Sequence, residues 1–192
     1  NITSFHEKQL PKNYKINKDN LITGSLWNPI EAVGLYVPGG KASYPSSLLM
    51  NVIPAQVSGV KRIAVSTPSN NGNFDPYIMA LLDILGIKEV YQIGGAQAIA
   101  ALAYGTQRIK PVNKVFGPGN AYVVSAKKQV FGRVGIDLIA GPSEIVVVAD
   151  QRNNPDWVAS DLIAQAEHDE KSQCILITDN ESFALRVRNK II

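Results

Sequence analysis

From Ala32 onward the chain alternates short β-branched runs with longer stretches of helical spacing, and this alternation narrows the possible folds more than any other feature. The runs 32–37, 61–66, 88–93, 113–116, 136–139, 144–149 and 173–178 read as strands. Helices are expected between and after them at 45–58, 75–85, 96–104, 120–131, 156–168 and 181–191. Strands separated by helices are the pattern of βαβ units around a parallel sheet, so the fold class is α/β. Asp75 before Pro76 supplies an N-cap followed by a proline at the first helical position. Pro54 should kink or split the first of these helices, because it removes one helical donor. Residues 1–31 read differently: Lys-rich, then Asn/Gly/Trp-rich without periodicity, an arm that needs a surface to lie against.

With 192 residues and 45% hydrophobic content, the chain can bury one large core or two small ones. Its net charge of +3 comes from 19 basic and 16 acidic side chains that are mostly dispersed, with Arg186, Arg188 and Lys190 the one local cluster. No basic stripe interleaved with aromatics is present, which argues against nucleic-acid binding. The single cysteine, Cys174, lies in an apolar run and reads as a buried thiol in a reducing, cytoplasmic setting. No apolar run approaches the ~20 residues of a membrane span, and Asn1-Ile2-Thr3-Ser4 does not resemble a signal peptide. The first residue is not Met, and the chain reads as a piece of something longer.

Ligands of open parallel sheets sit beyond the carboxyl ends of the strands, and glycine-bearing segments occur at several expected ends. Tyr36-Val37-Pro38-Gly39-Gly40 is either a tight turn or a place where backbone approaches a ligand beside an aromatic hydroxyl. Gly94-Gly95-Ala96-Gln97 ends one strand and opens an Ala-rich helix, whose free N–H groups could receive an anion. It is not GxGxxG, and no acidic residue stands at the usual ribose distance. In Phe116-Gly117-Pro118-Gly119-Asn120, Gly119 can take a positive φ and Asn120 can cap the helix beginning at Ala121, with or without a ligand role. Ala140-Gly141-Pro142-Ser143-Glu144 offers a hydroxyl beside a carboxylate, or is a plain turn.

Gln165 and His168, three apart, share a helix face and could aim an amide oxygen and an imidazole nitrogen at one metal ion. A catalytic zinc takes about three protein ligands, so this is half a site. The competing reading is an ordinary helix end carrying a histidine. Asp161 could orient a ligand from behind, although a solvated carboxylate is the preferred reading. Glu167 points elsewhere, and His6, the other histidine, has no motif around it and receives no role.

Taken in order and spacing, Gly34-Leu35-Tyr36-Val37-Pro38-Gly39-Gly40, Gly94-Gly95-Ala96-Gln97-Ala98-Ile99-Ala100-Ala101, Phe116-Gly117-Pro118-Gly119-Asn120, Ala140-Gly141-Pro142-Ser143-Glu144 and Gln165-Ala166-Glu167-His168 resemble the histidinol dehydrogenase family across residues 30–178. The resemblance implies a zinc-dependent oxidoreductase of histidine biosynthesis that oxidises L-histidinol to L-histidine in two NAD-linked steps. It implies that Tyr36, Gln97 and Asn120 contact NAD, that Ser143, Gln165 and His168 contact substrate, and that Gln165 and His168 bind Zn2+. It also implies two incomplete Rossmann-like globules, with 36–142 as one and 1–35 plus 143–192 as parts of the other.

The family enzyme is more than twice this long and works as a homodimer. Its general-base Glu-His pair, a zinc-binding Asp and a further zinc-binding His are expected beyond Ile192, so no catalytic residue is assigned within this chain. This piece alone is expected not to turn over substrate. Asp169-Glu170-Lys171, after His168, departs from the family's more proline-like turn. The alternative reading is an inactive truncated remnant, at most a weak nucleotide or small-molecule binder. A third is an interaction module that uses the arm 1–31 and the basic last helix.

Overall fold

The computed structural model describes residues 1–39, 43–69, 72–141, 143–167 and 172–192. They fall into two compact units, Asn1–Ile139 and Ala140–Ile192. Among these residues no helix is long and apolar enough to cross a membrane.

The first unit opens with α1 (Ile2–Glu7) and a hairpin of β1 (Tyr14–Lys18) and β2 (Leu21–Ser25), elements not expected from the sequence. The connecting residues Asp19 and Asn20 both have positive φ, at 50° and 60°, as a two-residue type I′ turn requires. No alternation marks these strands because neither face is buried; every residue but Ser25 is exposed.

The rest of the unit is a wound sheet. Its strands are β3 (Ala32–Tyr36), β4 (Arg62–Ser66), β5 (Glu89–Tyr91), β6 (Lys114–Phe116) and β7 (Gly135–Ile136). Between them run α2 (Pro45–Val57), α3 (Pro76–Ile84), α4 (Gly95–Tyr104) and α5 (Ala121–Val130). All the strand pairs are parallel, in the order β5-β4-β3-β6-β7. The chain therefore winds outward from β3 to β5, returns past β3, and winds the other way to β7. The expected α/β class and incomplete Rossmann-like globule are found.

Helices cover both faces, as a parallel sheet requires. Val33, Leu35, Val37 and Val65 pack with Leu48 and Val52 of α2 and Ile78 and Leu82 of α3. Ala32, Tyr36, Ala64 and Val115 pack on the other side with Ile99 and Leu102 of α4 and Val123 and Val130 of α5. Gly34 allows α4 to lie close, since a Cβ there would meet Leu102 Cδ1 at 3.0 Å. Fully burying a side chain the size of Leu35 contributes about 1.5–3 kcal/mol.

The Asp75 cap is found: its carboxylate accepts from Tyr77 N and Ile78 N. Pro54 does not split α2, which runs continuously from Pro45 to Val57. Pro54 enters only in the last turn, so little helix remains beyond it to disrupt. The strand expected at 136–139 shrinks to Gly135–Ile136, because Asp137 turns its carboxylate back to the preceding loop.

The second unit is β8 (Glu144–Val148), α6 (Pro155–Ala166), β9 (Gln173–Ile177) and α7 (Glu181–Ile191), with β8 and β9 parallel. Its core is Ala149, Val158, Ala159, Leu162, Phe183 and Val187, against which Ile145, Val147, Cys174 and Leu176 pack. Cys174 is half-buried rather than enclosed, because among the described residues β9 pairs with β8 alone and its other edge is uncovered.

Candidate functional site

In the first unit the winding direction reverses between β3 and β6, the point at which open parallel sheets form a ligand crevice at the carboxyl edge. The loops after β3, β5 and β6 carry Tyr36, Gln97 and Asn120 to this edge. Tyr36 is 4% exposed and its hydroxyl accepts a hydrogen bond from Gly95 N at 3.1 Å. Gly95 has φ +71°, and a Cβ on it would meet Gln97 Oε1 at 3.0 Å. The Gln97 amide therefore folds over the same peptide that Tyr36 holds. One of the N–H groups expected to be free for an anion is thus already engaged.

The Phe116–Asn120 loop sits against Tyr36 from the other side. The positive φ belongs to Gly117, at +119°, and not to Gly119 as the sequence suggested. A Cβ on Gly117 would overlap the Tyr36 carbonyl oxygen, so the loop touches β3 through bare backbone. Gly119 is needed for space instead: its Cβ would collide with the Val123 side chain. Asn120 does cap α5, its Oδ1 accepting from Tyr122 N at 3.1 Å and Val123 N at 3.2 Å. Among the described residues its Nδ2 has no partner and remains a donor for a ligand.

Behind the loop lies an ion pair whose lysine is buried and whose aspartate is half-buried. Lys127, 3% exposed, donates from Nζ to Asp137 Oδ1 at 2.6 Å and to the Gly117 carbonyl at 2.5 Å. Asp137 Oδ2 accepts from Gly117 N at 2.9 Å. A charge this deep needs its partner and hydrogen bonds in place. Beside the edge, α4 and α5 enclose an open groove of about 390 Å³ lined by Gln97, Ala100, Tyr104, Tyr122, Ser125 and Gln129.

A second ion pair lies at the start of β4 and β5, the opposite edge of the same sheet. Arg62 donates from Nε and Nη2 to Glu89 at 2.9 and 2.6 Å, and to the Lys110 and Pro111 carbonyls at 2.8 Å each. Hydrogen bonding to Arg62 holds the Glu89 carboxyl below its usual range, and the same bond raises Arg62. Burial, then Glu89, pushes the Tyr91 phenol up. This cluster joins strand ends and is remote from the edge where the motifs gather.

Ser143 and Gln165 belong to the second unit. Ser143 precedes β8 and its carbonyl accepts from Gln173 N, while Gln165 lies in the last turn of α6. In a βαβ unit the end of the helix comes back to the amino ends of the strands, so these two residues share that end. Among the described residues, Gln165 Nε2 and Ser172 Oγ are buried there without hydrogen-bond partners, as is His6 Nε2 in the first unit. Asp161 is exposed, in line with a solvated carboxylate. His168, Gly40, Pro142 and the Asp169–Lys171 segment lie outside the described residues. Among the described residues no cluster of three His, Cys, Asp or Glu side chains could hold a metal ion. Gln165 alone does not make a zinc site.

The family model for histidinol dehydrogenase matches residues 1–192. The chain belongs to the histidinol dehydrogenase family. A histidinol dehydrogenase of Rhizobium meliloti (strain 1021) is 57% identical over 192 residues, covering 99% of this chain and 44% of that protein. One of Agrobacterium fabrum is 60% identical over 188 residues, covering 97% and 43%. The chain thus spans less than half the length of the curated relatives it matches. The crystal structure of histidinol dehydrogenase from Elizabethkingia anophelis matches with a TM-score of 0.92 at 41% identity, over 99% of this chain and 45% of that one. A propionaldehyde dehydrogenase from a Clostridium phytofermentans bacterial microcompartment shares the fold at a TM-score of 0.61 and 12% identity, over 96% of this chain and 43% of that one.

Within this histidinol dehydrogenase family chain, sequence reasoning missed Lys127 and Asp137. A signal existed: Val123, Ala126, Lys127 and Val130 fall at i, i+3, i+4 and i+7, the buried stripe of α5. A lysine on that stripe demands a buried partner, but nothing local says that Asp137 supplies it.

Proposed function

We propose that this chain is part of a cytoplasmic, zinc-dependent, NAD-linked dehydrogenase that oxidises L-histidinol to L-histidine in two steps, working as a homodimer. The observation that carries the reading is the gathering of Tyr36, Gln97 and Asn120 at the crevice where the winding reverses, in a chain of this family. The features that support a dinucleotide there are the amino termini of α4 and α5 and an amide donor on Asn120. Bound NAD supplies the hydride acceptor. Tyr36 and Gln97 orient it across the Gly95 peptide, and Asn120 donates from Nδ2 while Oδ1 keeps α5 capped. Ser143 would contact histidinol, and Gln165 and His168 would contribute to zinc and substrate binding, in the globule that contains 143–192. The general-base Glu-His pair would lie outside these residues.

The test is equilibrium NAD binding. Asn120→Ala is expected to abolish it and Asp161→Ala to leave it unchanged; the reverse pattern would sink the assignment. A full-length protein carrying this sequence that binds NAD but oxidises no histidinol would favour the inactive remnant.

A further inference from the structure

We propose that the Lys127–Asp137 ion pair is the positioning device of the crevice, holding the Gly117 peptide so that Tyr36 and Asn120 present their polar groups to one ligand. The proposal rests on the dinucleotide reading above and adds two residues to it. Neither is a catalytic residue, since both act through Gly117.

The argument is geometric. Gly117 lies between Tyr36 and Asn120, and its conformation sets the distance between them. Its φ of +119° is one that few residues hold without support. The support comes from both sides of this one residue: Asp137 accepts from its N–H, and Lys127 donates to its C=O. Asp137 is itself fixed by Leu138 N, which donates to Oδ1 at 2.8 Å. Lys127 reaches the loop because helical side chains lean toward the amino terminus of their helix, here the end that Asn120 caps.

From Gly117 the contacts run unbroken to the other motif residues. Its backbone abuts the Tyr36 carbonyl, the Tyr36 hydroxyl takes the Gly95 N–H, and Gln97 folds over Gly95. With both peptide groups of Gly117 engaged internally, the loop offers a ligand the Asn120 amide rather than its own backbone. A loop set in this way binds without first being ordered, which raises affinity.

The experiment measures NAD+ affinity by calorimetry and hydrogen exchange at the Gly117 amide, in the full-length protein carrying this sequence. The variants are Lys127→Met, Lys127→Arg and Asp137→Asn, with Arg62→Met as a control that breaks the ion pair at the opposite edge. In Lys127→Met, affinity is expected to fall roughly tenfold or more, as for loss of a charge-assisted hydrogen bond, and Gly117 exchange to accelerate. Lys127→Arg, which keeps the charge, should recover most of the affinity. Arg62→Met should lower the melting temperature but leave NAD+ affinity unchanged. Unaltered affinity and exchange in Lys127→Met would overturn the proposal and leave the dinucleotide reading intact. Absence of NAD+ binding in the unaltered protein would remove that reading, and the proposal with it. If Lys127→Met does not fold, Asp137→Asn decides: weaker binding with faster Gly117 exchange supports the device, and wild-type values of both overturn it.

Discussion

In the first unit β3 is buried along its whole length, with α2 and α3 on one side and α4 and α5 on the other. In the second, β8 and β9 bury no residue completely and cover only alternate ones in part. Ile145, Val147, Cys174 and Leu176 face α6 and α7, while Val146, Val148, Ile175 and Ile177 are 52%, 76%, 43% and 53% exposed. Parallel sheets are stable when both faces are covered, so the first sheet closes with its own helices and the second, among the described residues, does not. Tyr36, Gln97 and Asn120, the proposed nucleotide contacts, stand on the closed sheet, and Ser143 and Gln165 stand on the half-open one. A crevice needs rigid walls to keep polar groups in register, and the closed unit has them.

The contrast can be broken most strongly at Phe183, the largest fully buried side chain. Phe183→Ala is expected to cost about 3–5 kcal/mol, enough to open a unit with so small a core. Hydrogen exchange should then show lost protection across β8, α6, β9 and α7 with β3 to β6 still protected. Equal loss in both units would mean that they unfold as one body.

Glycine replacements sharpen the contrast at the next level. Gly117→Ala should lower NAD affinity at least about tenfold, because backbone cannot yield to the new Cβ. In Gly141→Ala the Cβ meets nothing within 4 Å, so stability should change by no more than about 0.5 kcal/mol. Calorimetry on both variants checks this pair.

A smaller effect concerns pH. The folded-state carboxyl of Glu89 titrates below the ordinary value of 4.5, so its contribution to stability is present above that value. It is lost as pH falls through the lower, folded value. Acid unfolding of the first unit should therefore lose part of its pH dependence in Glu89→Gln, and a denaturation series from pH 6 to pH 2 reads it. No comparable change is expected in the second unit, whose Lys190–Asp156 pair is solvent-exposed on both sides.

The smallest expected effect is the most direct reading of the open face. Val148→Thr, at a 76% exposed position, should change stability by less than about 0.5 kcal/mol. Val65→Thr, on the closed sheet at 0% exposure, should cost ~1–3 kcal/mol for an unpaired buried hydroxyl. Similar costs at the two positions would mean that the β8–β9 face is covered.

Much of this was legible in the residues. From Ala32 on, strands and helices fall within a few residues of their expected places, because buried strands and amphipathic helices leave a periodic trace. Asp75 and Asn120 were readable as caps because a cap is satisfied within three residues. The β1–β2 hairpin was not, since strands without a buried face carry no alternation. The shift of positive φ from Gly119 to Gly117 was not readable either: it depends on the Tyr36 carbonyl, 81 positions away in the chain and adjacent in space.

By itself the sequence determined what acts over a few residues: the order of strands and helices, the caps, and the motifs that mark the histidinol dehydrogenase family. Only the tertiary structure decided that β6 returns to lie beside β3, that Lys127 finds Asp137, and that Tyr36, Gln97 and Asn120 share one edge. Those outcomes rest on hydrogen bonds and buried contacts between residues far apart in the chain, whose free energy appears only when the sheet closes.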